Sequence, residues 1–486
     1  MYNQYSLQSP ICYASGMPLY VGIAESLTKQ MARGALRPGD RVPSLRQLSE
    51  RERVSVSTAL QAYLWLETRG YIEARPQSGF YVRTPFAKLI PEPQCETWKP
   101  APAAAGTDAI LSGMLAAAGD PATIPFGVSG ASPELFPYRR LNLIVRQILK
   151  RHPDHSTRYD FPPGLDRLRR QIARRSLEMG CGLSPEDVTI TNGAMEAISL
   201  SLRAVARPGD TVAVESPTYF GLLGNAAAAG VKVVEVSTHP QQGMDLADLE
   251  RAIRKHRIKA CIVMPNCHNP LGYVLGDDYK RALADLTARH NVAVIEDDIY
   301  GDLAFRGPRP RTVKTFDRKG LVLLCSSFSK VLPPGYRVGW IAAGRFRAEV
   351  ERLKLVTTIA AASLSQLVVA EFLESGGYDR HLKRLRTSLQ TQVEEVRRAI
   401  AKYFPSGTRI SRPAGAYMLW VELPRKIDAT KLYRAALTQH ISILPGIVFS
   451  ASGRFPNYIR LNCGHAWSEA HDQALLTLGR LCEKRL

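Results

Sequence analysis

The stretch that most constrains the fold of this chain is Ser326-Ser327-Phe328-Ser329-Lys330-Val331-Leu332-Pro333-Pro334-Gly335-Tyr336-Arg337. It follows an apolar run, Leu321 to Cys325, and it places hydroxyls before Lys330 and an arginine seven residues after it. A lysine amine in that setting can bond covalently to an aldehyde. The hydroxyls and the guanidinium of Arg337 suit a phosphate. Both needs meet in pyridoxal 5′-phosphate (PLP), although this string alone is also typical of a solvated loop lysine.

Two further apolar runs lead into residues that a PLP ring requires. The run from Val292 to Tyr300 reads as a buried strand that ends in acids, and its Asp297 can pair with a pyridine nitrogen. Tyr300 can bond the phenolic oxygen of the ring. The run from Ala260 to Asn266 leads into an Asn-Pro turn that can aim the Asn269 amide at the same oxygen. Helix capping by Asp297 or Asp298 is the alternative interpretation of the first run.

Other strings can complete such a site. Gly193 forms a turn that opens a helix at Ala194 and Met195, and backbone N–H groups at a helix N-terminus bind phosphate. Tyr219 ends another strand and can stack on a pyridine ring, although in isolation a core tyrosine is the better interpretation. Cys267 and His268 suggest a metal, but no partner pair at zinc spacing accompanies them. We therefore predict no metal site.

The chain divides by composition into three regions. Residues 13–83 are helix-rich and compact. Residues 84–121 carry repeated prolines followed by Ala103-Ala104-Ala105-Gly106, which predicts a partly extended linker. In residues 122–486, strand-like runs alternate with amphipathic helices, which is typical of an α/β domain with a mainly parallel sheet.

The first region has clear helix signals. Leu19, Ile23, Leu27 and Met31 recur at a spacing of four and define one helix face. Ser44 begins a capping-box pattern, which predicts that a second helix starts there. Ser55 can cap a third helix, whose apolar stripe is Ala59, Ala62, Tyr63 and Leu66. A predicted β-hairpin follows, so the region reads as a winged helix-turn-helix; a helical module for protein contacts is the alternative.

Size, charge and cysteine usage fit an intracellular globular protein. The chain has 486 residues, 45% of them hydrophobic and 22% charged, and a net charge of +20 that favours polyanionic partners. Its eight cysteines include no CxxC pair, which predicts reduced thiols. We see no basic and then apolar signal at the start, and no apolar run of the roughly 20 residues that a membrane span needs. We expect a cytoplasmic protein.

The first region resembles the N-terminal domain of GntR-type bacterial regulators. The strings that carry the resemblance are Leu36 to Leu48, Val54 to Ser57, Leu66 to Tyr71 and Ser78 to Val82. The resemblance implies a DNA-binding domain whose third helix enters the major groove. Relatives often carry arginine where this chain has Val56 and Leu60, so its choice of bases stays open. The residues that the resemblance places against DNA are Arg46, Ser55, Ser57, Thr58, Ser78 and Gly79.

Residues 125–486 resemble the fold-type I PLP enzymes, the aminotransferase class, through the ordered series of strings described above. The resemblance implies that Lys330 forms the internal aldimine, that Asp297 pairs with the ring nitrogen, and that Tyr219 stacks on the ring as a third catalytic residue. It implies that Arg460 clamps a substrate carboxylate; a surface charge on an edge strand is the alternative. The other cofactor contacts that it implies are Asn269 and Tyr300 at the ring oxygen, Ala194, Met195, Ser327, Ser329 and Arg337 at the phosphate, and Tyr159 from the neighbouring subunit.

The two resemblances together are the layout of the MocR subfamily of GntR-type regulators. This layout predicts a multi-domain fold with a mainly α winged helix-turn-helix and an α/β fold-type I aminotransferase-like domain that has large and small subdomains. It implies a dimeric transcription factor, head-to-tail, that senses PLP or an amino compound through aldimine exchange at Lys330. An aminotransferase with an accessory DNA-binding module, and a DNA binder that uses its α/β domain only to dimerise, are the alternatives. The sequence names neither the effector, the operator, the target genes nor the sign of regulation.

Overall fold

A computed structural model describes residues 19–32, 35–36, 39–68, 71–75, 78–82, 90–95, 97–98, 100–103, 108–151, 153–154 and 157–485. The chain forms two compact units, Met1–Leu89 and Ile90–Leu486. The ends of the predicted first region, residues 13–18 and 83, lie outside the described residues. Among the helices that the structure describes, none combines the length and the hydropathy that crossing a bilayer requires.

The first unit has the predicted order of helices and strands. Ser44 is the N-cap of the second helix, and its hydroxyl and the Gln47 side chain form the reciprocal bonds of a capping box. Ser55 precedes the third helix, and its hydroxyl accepts a hydrogen bond from Thr58 N at 3.1 Å. The two strands pair antiparallel as a hairpin. The elements are α1 (Leu19–Ala32), α2 (Leu45–Glu52), α3 (Val56–Thr68), β1 (Ile72–Arg75) and β2 (Gly79–Val82).

One apolar core holds these elements together. Ala59, Ala62, Tyr63 and Leu66, the predicted stripe of α3, are all 0% exposed. They pack with the buried face of α1 and with α2. Burial of side chains from every element explains why three short helices and a two-stranded hairpin are stable as one unit.

The second unit contains a large and a small β-sheet. Its strands are β3 (Pro102–Ala103), β4 (Ile124–Pro125), β5 (Val188–Thr191), β6 (Thr211–Ser216), β7 (Lys232–His239), β8 (Gly243–Met244), β9 (Ala260–Val263), β10 (Ala293–Asp297), β11 (Val322–Ser327), β12 (Gly339–Ala342), β13 (Arg409–Ile410), β14 (Met418–Glu422), β15 (Ile441–Ser442), β16 (Leu444–Pro445) and β17 (Tyr458–Asn462). Its helices are α4 (Asp108–Ala118), α5 (Tyr138–Arg151), α6 (Asp166–Ser176), α7 (Ala194–Val205), α8 (Phe220–Ala228), α9 (Leu246–His256), α10 (Asp277–Arg289), α11 (Arg347–Thr358), α12 (Ser363–Glu374), α13 (Gly377–Tyr403), α14 (Ala429–Leu437) and α15 (Glu469–Glu483).

The large sheet brings the ends of distant strands together. Its order is β3-β7-β6-β9-β10-β11-β12-β5, with β8 paired to β7. The central run from β7 to β11 is parallel, and β12 and the edge strands pair antiparallel. Because parallel strands end at the same edge, the residues that follow β6, β9, β10 and β11 converge there. The small sheet, β13-β14-β17-β16, is antiparallel. This architecture confirms the predicted fold class.

The predicted linker, residues 84–121, differs in the structure. Residues 90–121 belong to the larger unit. Strand β3 pairs with β7, and α4 contributes Met114, which is 4% exposed in an apolar cluster that Trp98, Ile110 and Leu111 adjoin. Prolines and alanines dominate the composition of this segment, but a few large apolar side chains at helical spacing are enough to anchor it.

Candidate functional site

Lys330 lies in the loop after β11 and contacts the loop that follows β4. Its Nζ donates a hydrogen bond to the Ser129 backbone oxygen at 2.7 Å and lies 5.6 Å from the centre of the Tyr300 ring. Burial lowers the pKa of this amine to about 8; the positive charge of Arg460 adds to the effect, and Asp297 opposes it. Around pH 8 a large share of the amine is therefore neutral and nucleophilic.

Asp297 is the last residue of β10 and is 2% exposed. The hydrogen bond that the described residues give its carboxylate comes from Ile299 N, at 3.2 Å. Burial raises the pKa of Asp297 to about 7, although this hydrogen bond and the charge of Lys330 act in the opposite direction. A buried carboxylate with so little compensation is suited to a cationic partner such as a protonated pyridine nitrogen.

Asn269 and Tyr300 are both buried, each 1% exposed. The Asn269 backbone N–H donates to Met264 Sδ at 3.0 Å, while the buried Asn269 Oδ1 has no hydrogen-bond partner within the described part of the chain. The Tyr300 ring packs edge-on against Tyr417, with ring centres 5.8 Å apart. The Asn269 oxygen is thus an unused acceptor in the described part of the chain, whereas a contact with a ring oxygen would use the amide N–H group as donor.

Tyr219 follows β6 and is the N-cap residue of α8. Its ring is partly buried and lies 4.5 Å from that of Phe220. Burial raises the pKa of the Tyr219 hydroxyl, and the charges of Arg460 and Asp297 also act on it. These two charges act on Tyr300 and on Lys330 as well. Arg460 and Asp297 thus affect the pKa values of all three side chains, Tyr219, Tyr300 and Lys330.

A cradle for an anion lies at the N-terminus of α7. Gly193 is its N-cap residue with φ 81°, and a Cβ there would lie 3.0 Å from the guanidinium carbon of Arg337. Arg337 Nη2 donates to the Asn192 backbone oxygen at 3.0 Å, and its Nη1 donates to Ser329 Oγ at 3.3 Å. Ser327 Oγ accepts from Ser329 N at 3.2 Å. A helix N-terminus beside hydroxyls and an exposed arginine fits a phosphate.

Arg460 is the middle residue of β17 and is 0% exposed. Its guanidinium donates to Ser129 Oγ and to the Gly127 backbone oxygen. Its Nε is buried and has no hydrogen-bond partner among the described residues. Burial lowers its pKa. A buried cation that only neutral oxygens solvate has room for a carboxylate ligand.

Three supporting features of the site were not predicted from the sequence. Ser129 contacts both Lys330 and Arg460 from a loop without a recognisable motif. Glu215, 1% exposed, accepts from Met264 N at 2.8 Å and from Tyr273 at 2.6 Å, and so fixes the backbone that leads to the Asn-Pro turn. Behind the anion cradle, Glu196 pairs with the buried Lys354 at 3.1 Å.

Two predictions concern residues beyond this cluster. Tyr159 is 68% exposed, and its ring lies 5.5 Å from that of Phe161. Within the single chain it is therefore a surface residue, and a contact with a neighbouring subunit stays a prediction. No group of three or more His, Cys, Asp and Glu side chains in the described ranges is arranged to hold a metal ion.

In the first unit, the side chains predicted to contact DNA lie at the surface. Arg46 is exposed in the first turn of α2. The Ser55 hydroxyl lies 2.7 Å from that of Ser57 and 2.8 Å from that of Thr58, which forms a hydroxyl cluster at the start of α3. In the wing, a Cβ at Gly79 would lie 3.2 Å from Nε of Arg41, a cation inside the matched strings to which sequence reasoning gave no role.

Ser78 and Tyr81 join their hydroxyls across the hairpin at 2.6 Å. Gly79 has φ 102°, a conformation that glycine adopts without strain. The start of β2 therefore combines a surface hydroxyl with a glycine whose backbone conformation would strain a larger residue.

Comparison with known proteins gives the same two-part division. The family of bacterial regulatory proteins called gntR matches residues 19–82, and the aminotransferase class I and II family matches residues 139–476. The uncharacterized HTH-type transcriptional regulator YdcR of Escherichia coli is 40% identical over 97% of this chain and 100% of its own length. The regulator YjiR of the same organism is 38% identical over 95% of this chain and 98% of its own length.

Two of the solved structures that resemble the chain are aminotransferases. LysN, an α-aminoadipate aminotransferase of Thermus thermophilus complexed with N-(5′-phosphopyridoxyl)-L-leucine, has a TM-score of 0.71 and 26% identity, and the match covers 77% of this chain and 94% of that one. A kynurenine aminotransferase of Pyrococcus horikoshii has a TM-score of 0.73 and 25% identity, and the match covers 78% of this chain and 95% of that one. The chain therefore belongs to the MocR-type family of bacterial transcriptional regulators, in which a GntR-type winged helix-turn-helix precedes an aminotransferase class I and II domain.

Proposed function

We propose that this regulator binds PLP in its second unit and that Lys330 is the residue that bonds to the cofactor. When bound, PLP supplies an aldehyde that reacts with amines and a ring that withdraws electrons. The observation that carries the proposal is the Lys330 amine itself. It is held 2.7 Å from the Ser129 oxygen, and its pKa is lowered to about 8.

The other polar groups of the site match the remaining parts of the cofactor. Asp297 would accept a hydrogen bond from the ring nitrogen, and Asn269 and Tyr300 would donate to the ring oxygen. Tyr219 would stack on the ring. The phosphate would lie in the anion cradle, where the groups that hold it are the backbone of Ala194 and Met195, the hydroxyls of Ser327 and Ser329, and the guanidinium of Arg337.

The effector is PLP itself or a small amino compound. Arg460 favours an amine that also carries a carboxylate, because its buried guanidinium has only neutral partners among the described residues. Such a ligand would compete for Arg460 with Ser129, the residue that also holds Lys330. Binding of the ligand carboxylate to Arg460 would thereby be coupled to release of Lys330 from Ser129. The ligand would then favour one state of the protein over another.

We expect a cytoplasmic homodimer, head-to-tail. The exposed pair Tyr159 and Phe161 is suited to a contact with a second subunit, since large aromatic side chains are enriched in interfaces. In that arrangement Tyr159 would reach the phosphate of the neighbouring subunit.

The test combines two measurements on the full-length protein. Absorption spectroscopy reports cofactor binding, and a titration of the chain's own upstream DNA reports affinity with and without PLP and a panel of amino acids. We expect PLP uptake and a change in DNA affinity that Lys330→Ala abolishes. A colourless protein, or a normal DNA response in Lys330→Ala, would contradict the proposal.

The second candidate function is amino-group transfer. The lowered pKa of Lys330 favours this function. An amine with a pKa of about 8 can both accept and return a proton at a pH close to neutral. Incubation of the PLP-loaded protein with amino donors and 2-oxo acids tests it directly. Rapid turnover without any effect of these compounds on DNA binding would favour the enzyme over the regulator.

A further inference from the structure

One face of α3 is apolar although it is exposed. Val56, Leu60 and Leu64 are 49%, 38% and 48% exposed, and their spacing of four residues places them on one side of the helix. Ser57 and Gln61 complete this exposed face. The opposite side is the fully buried stripe that holds the unit together. The exposed face therefore has no structural task inside its own unit.

The same face has no charge of its own. The sequence of α3 contains one acidic residue, Glu67, and no lysine or arginine. Positive charge stands beside the helix instead, on the exposed Arg46 of α2 and on Arg53, the C-cap residue that follows α2. Arg46 and Arg53 can therefore hold a polyanion while α3 presents methyl groups to it.

We propose that Val56 and Leu60 read thymine through its 5-methyl group. In the major groove, that methyl is the apolar group that a base pair presents, and aliphatic side chains recognise it by contact. Neither side chain can satisfy the hydrogen-bonding groups of guanine, so a G·C pair at the same place would lose its water without compensation. The residues thus favour one base and penalise another.

Helix geometry sets the spacing of the two contacts. Residues four apart on a helix are separated by about 6 Å along its axis. Successive base pairs are about 3.4 Å apart. The half-site that α3 contacts should therefore contain two thymines about two base-pair steps apart. This inference rests on DNA binding by the first unit and adds the identity of the bases that it prefers.

The test uses full-length protein and duplex DNA selected by that protein from a randomised library. Each thymine of the enriched duplex is replaced, one at a time, by deoxyuridine, which lacks only the methyl group. For the wild-type protein we expect two positions at which the change weakens binding about three- to fivefold, the value of one buried methyl group. Val56→Ala should become insensitive to uracil at one of these positions and Leu60→Ala at the other.

Leu19→Ala is the matched control, because Leu19 is 55% exposed on α1 and lies outside α3. It should show the wild-type pattern. Two results would overturn the inference and leave DNA binding intact. In the first, the wild-type protein tolerates deoxyuridine at every position. In the second, Val56→Ala and Leu60→Ala keep the same sensitivity to deoxyuridine as the wild type. If these two variants instead weaken self-association without DNA, measured by sedimentation, the face contacts protein and the inference is wrong. A protein that binds no duplex would overturn the DNA-binding function as well.

Discussion

The amine of Lys330 lies 2.7 Å from the backbone oxygen of Ser129. The hydroxyl of the same serine accepts a hydrogen bond from the buried guanidinium of Arg460. One small residue thus connects the candidate cofactor lysine, in the loop after β11, with the candidate carboxylate clamp on β17 of the small sheet. A ligand that satisfies either cation changes the environment of the other, which is a physical basis for sensing.

Arg460→Lys should weaken binding of an amino acid by about 10- to 100-fold, because lysine keeps the charge but loses the bidentate fork. Binding of the matching amine without a carboxylate should change less than about twofold. Spectroscopic titration of the PLP-loaded protein with the two ligands measures both. Arg434→Lys, at an exposed position of α14, serves as the control. Equal losses for the two ligands would show that Arg460 does not bind the carboxylate.

Gly193→Ala should weaken PLP binding by about 10- to 100-fold. An alanine at φ 81° is strained, and its methyl group would displace the Arg337 guanidinium from the anion cradle. Pyridoxal, which lacks the phosphate, should bind the variant as it binds the wild type.

The control for this change is Gly224→Ala, since a Cβ at Gly224 would meet no atom within 4 Å. Equal losses of PLP and pyridoxal would mean that the cradle does not hold the phosphate.

The rate of covalent PLP capture by the cofactor-free protein should depend on pH in a distinctive way. The neutral amine is the nucleophile, so below the pKa the rate rises about tenfold per pH unit. Burial and Arg460 lower the pKa of Lys330 to about 8, so the rise should level off near pH 8. A free lysine derivative, with an ordinary pKa near 10.4, should continue to react faster up to about pH 10. Stopped-flow absorbance measures both rates, and the same profile for the two amines would contradict the assignment.

Arg46→Ala should weaken binding to every duplex by a similar factor, about three- to tenfold, because a phosphate contact does not depend on sequence. The slope of log affinity against log salt should fall by about 1. Arg254→Ala is the control, since this arginine is exposed on α9 of the second unit and pairs with Glu250. A loss confined to duplexes with guanine at one position would show that Arg46 contacts a base edge instead.

The sequence predicted those features that local patterns determine. The capping box of Ser44 and the stripe of α3 gave the first unit, because caps and helical periodicity depend on neighbours within a few residues. Lys330, Asp297 and Asn269 stand near the carboxyl ends of parallel strands, so their convergence follows from the sheet.

Features that depend on contacts between distant residues were not predicted. Ser129 is 201 positions from Lys330 and 331 from Arg460 along the chain, and nothing in its local sequence marks it. The segment 90–121 looked like a linker because its prolines hide the few apolar residues, such as Met114, that anchor it. Both outcomes depend on tertiary packing, which composition does not reveal.

The central claim is that Lys330 bonds to PLP, and borohydride reduction of the PLP-saturated protein tests it most directly. Reduction fixes a bond between an amine and the aldehyde, and peptide mass mapping then locates it. We predict one modified peptide, which contains Lys330, and none in the Lys330→Ala variant. An unmodified Lys330 peptide from saturated wild-type protein would contradict the claim.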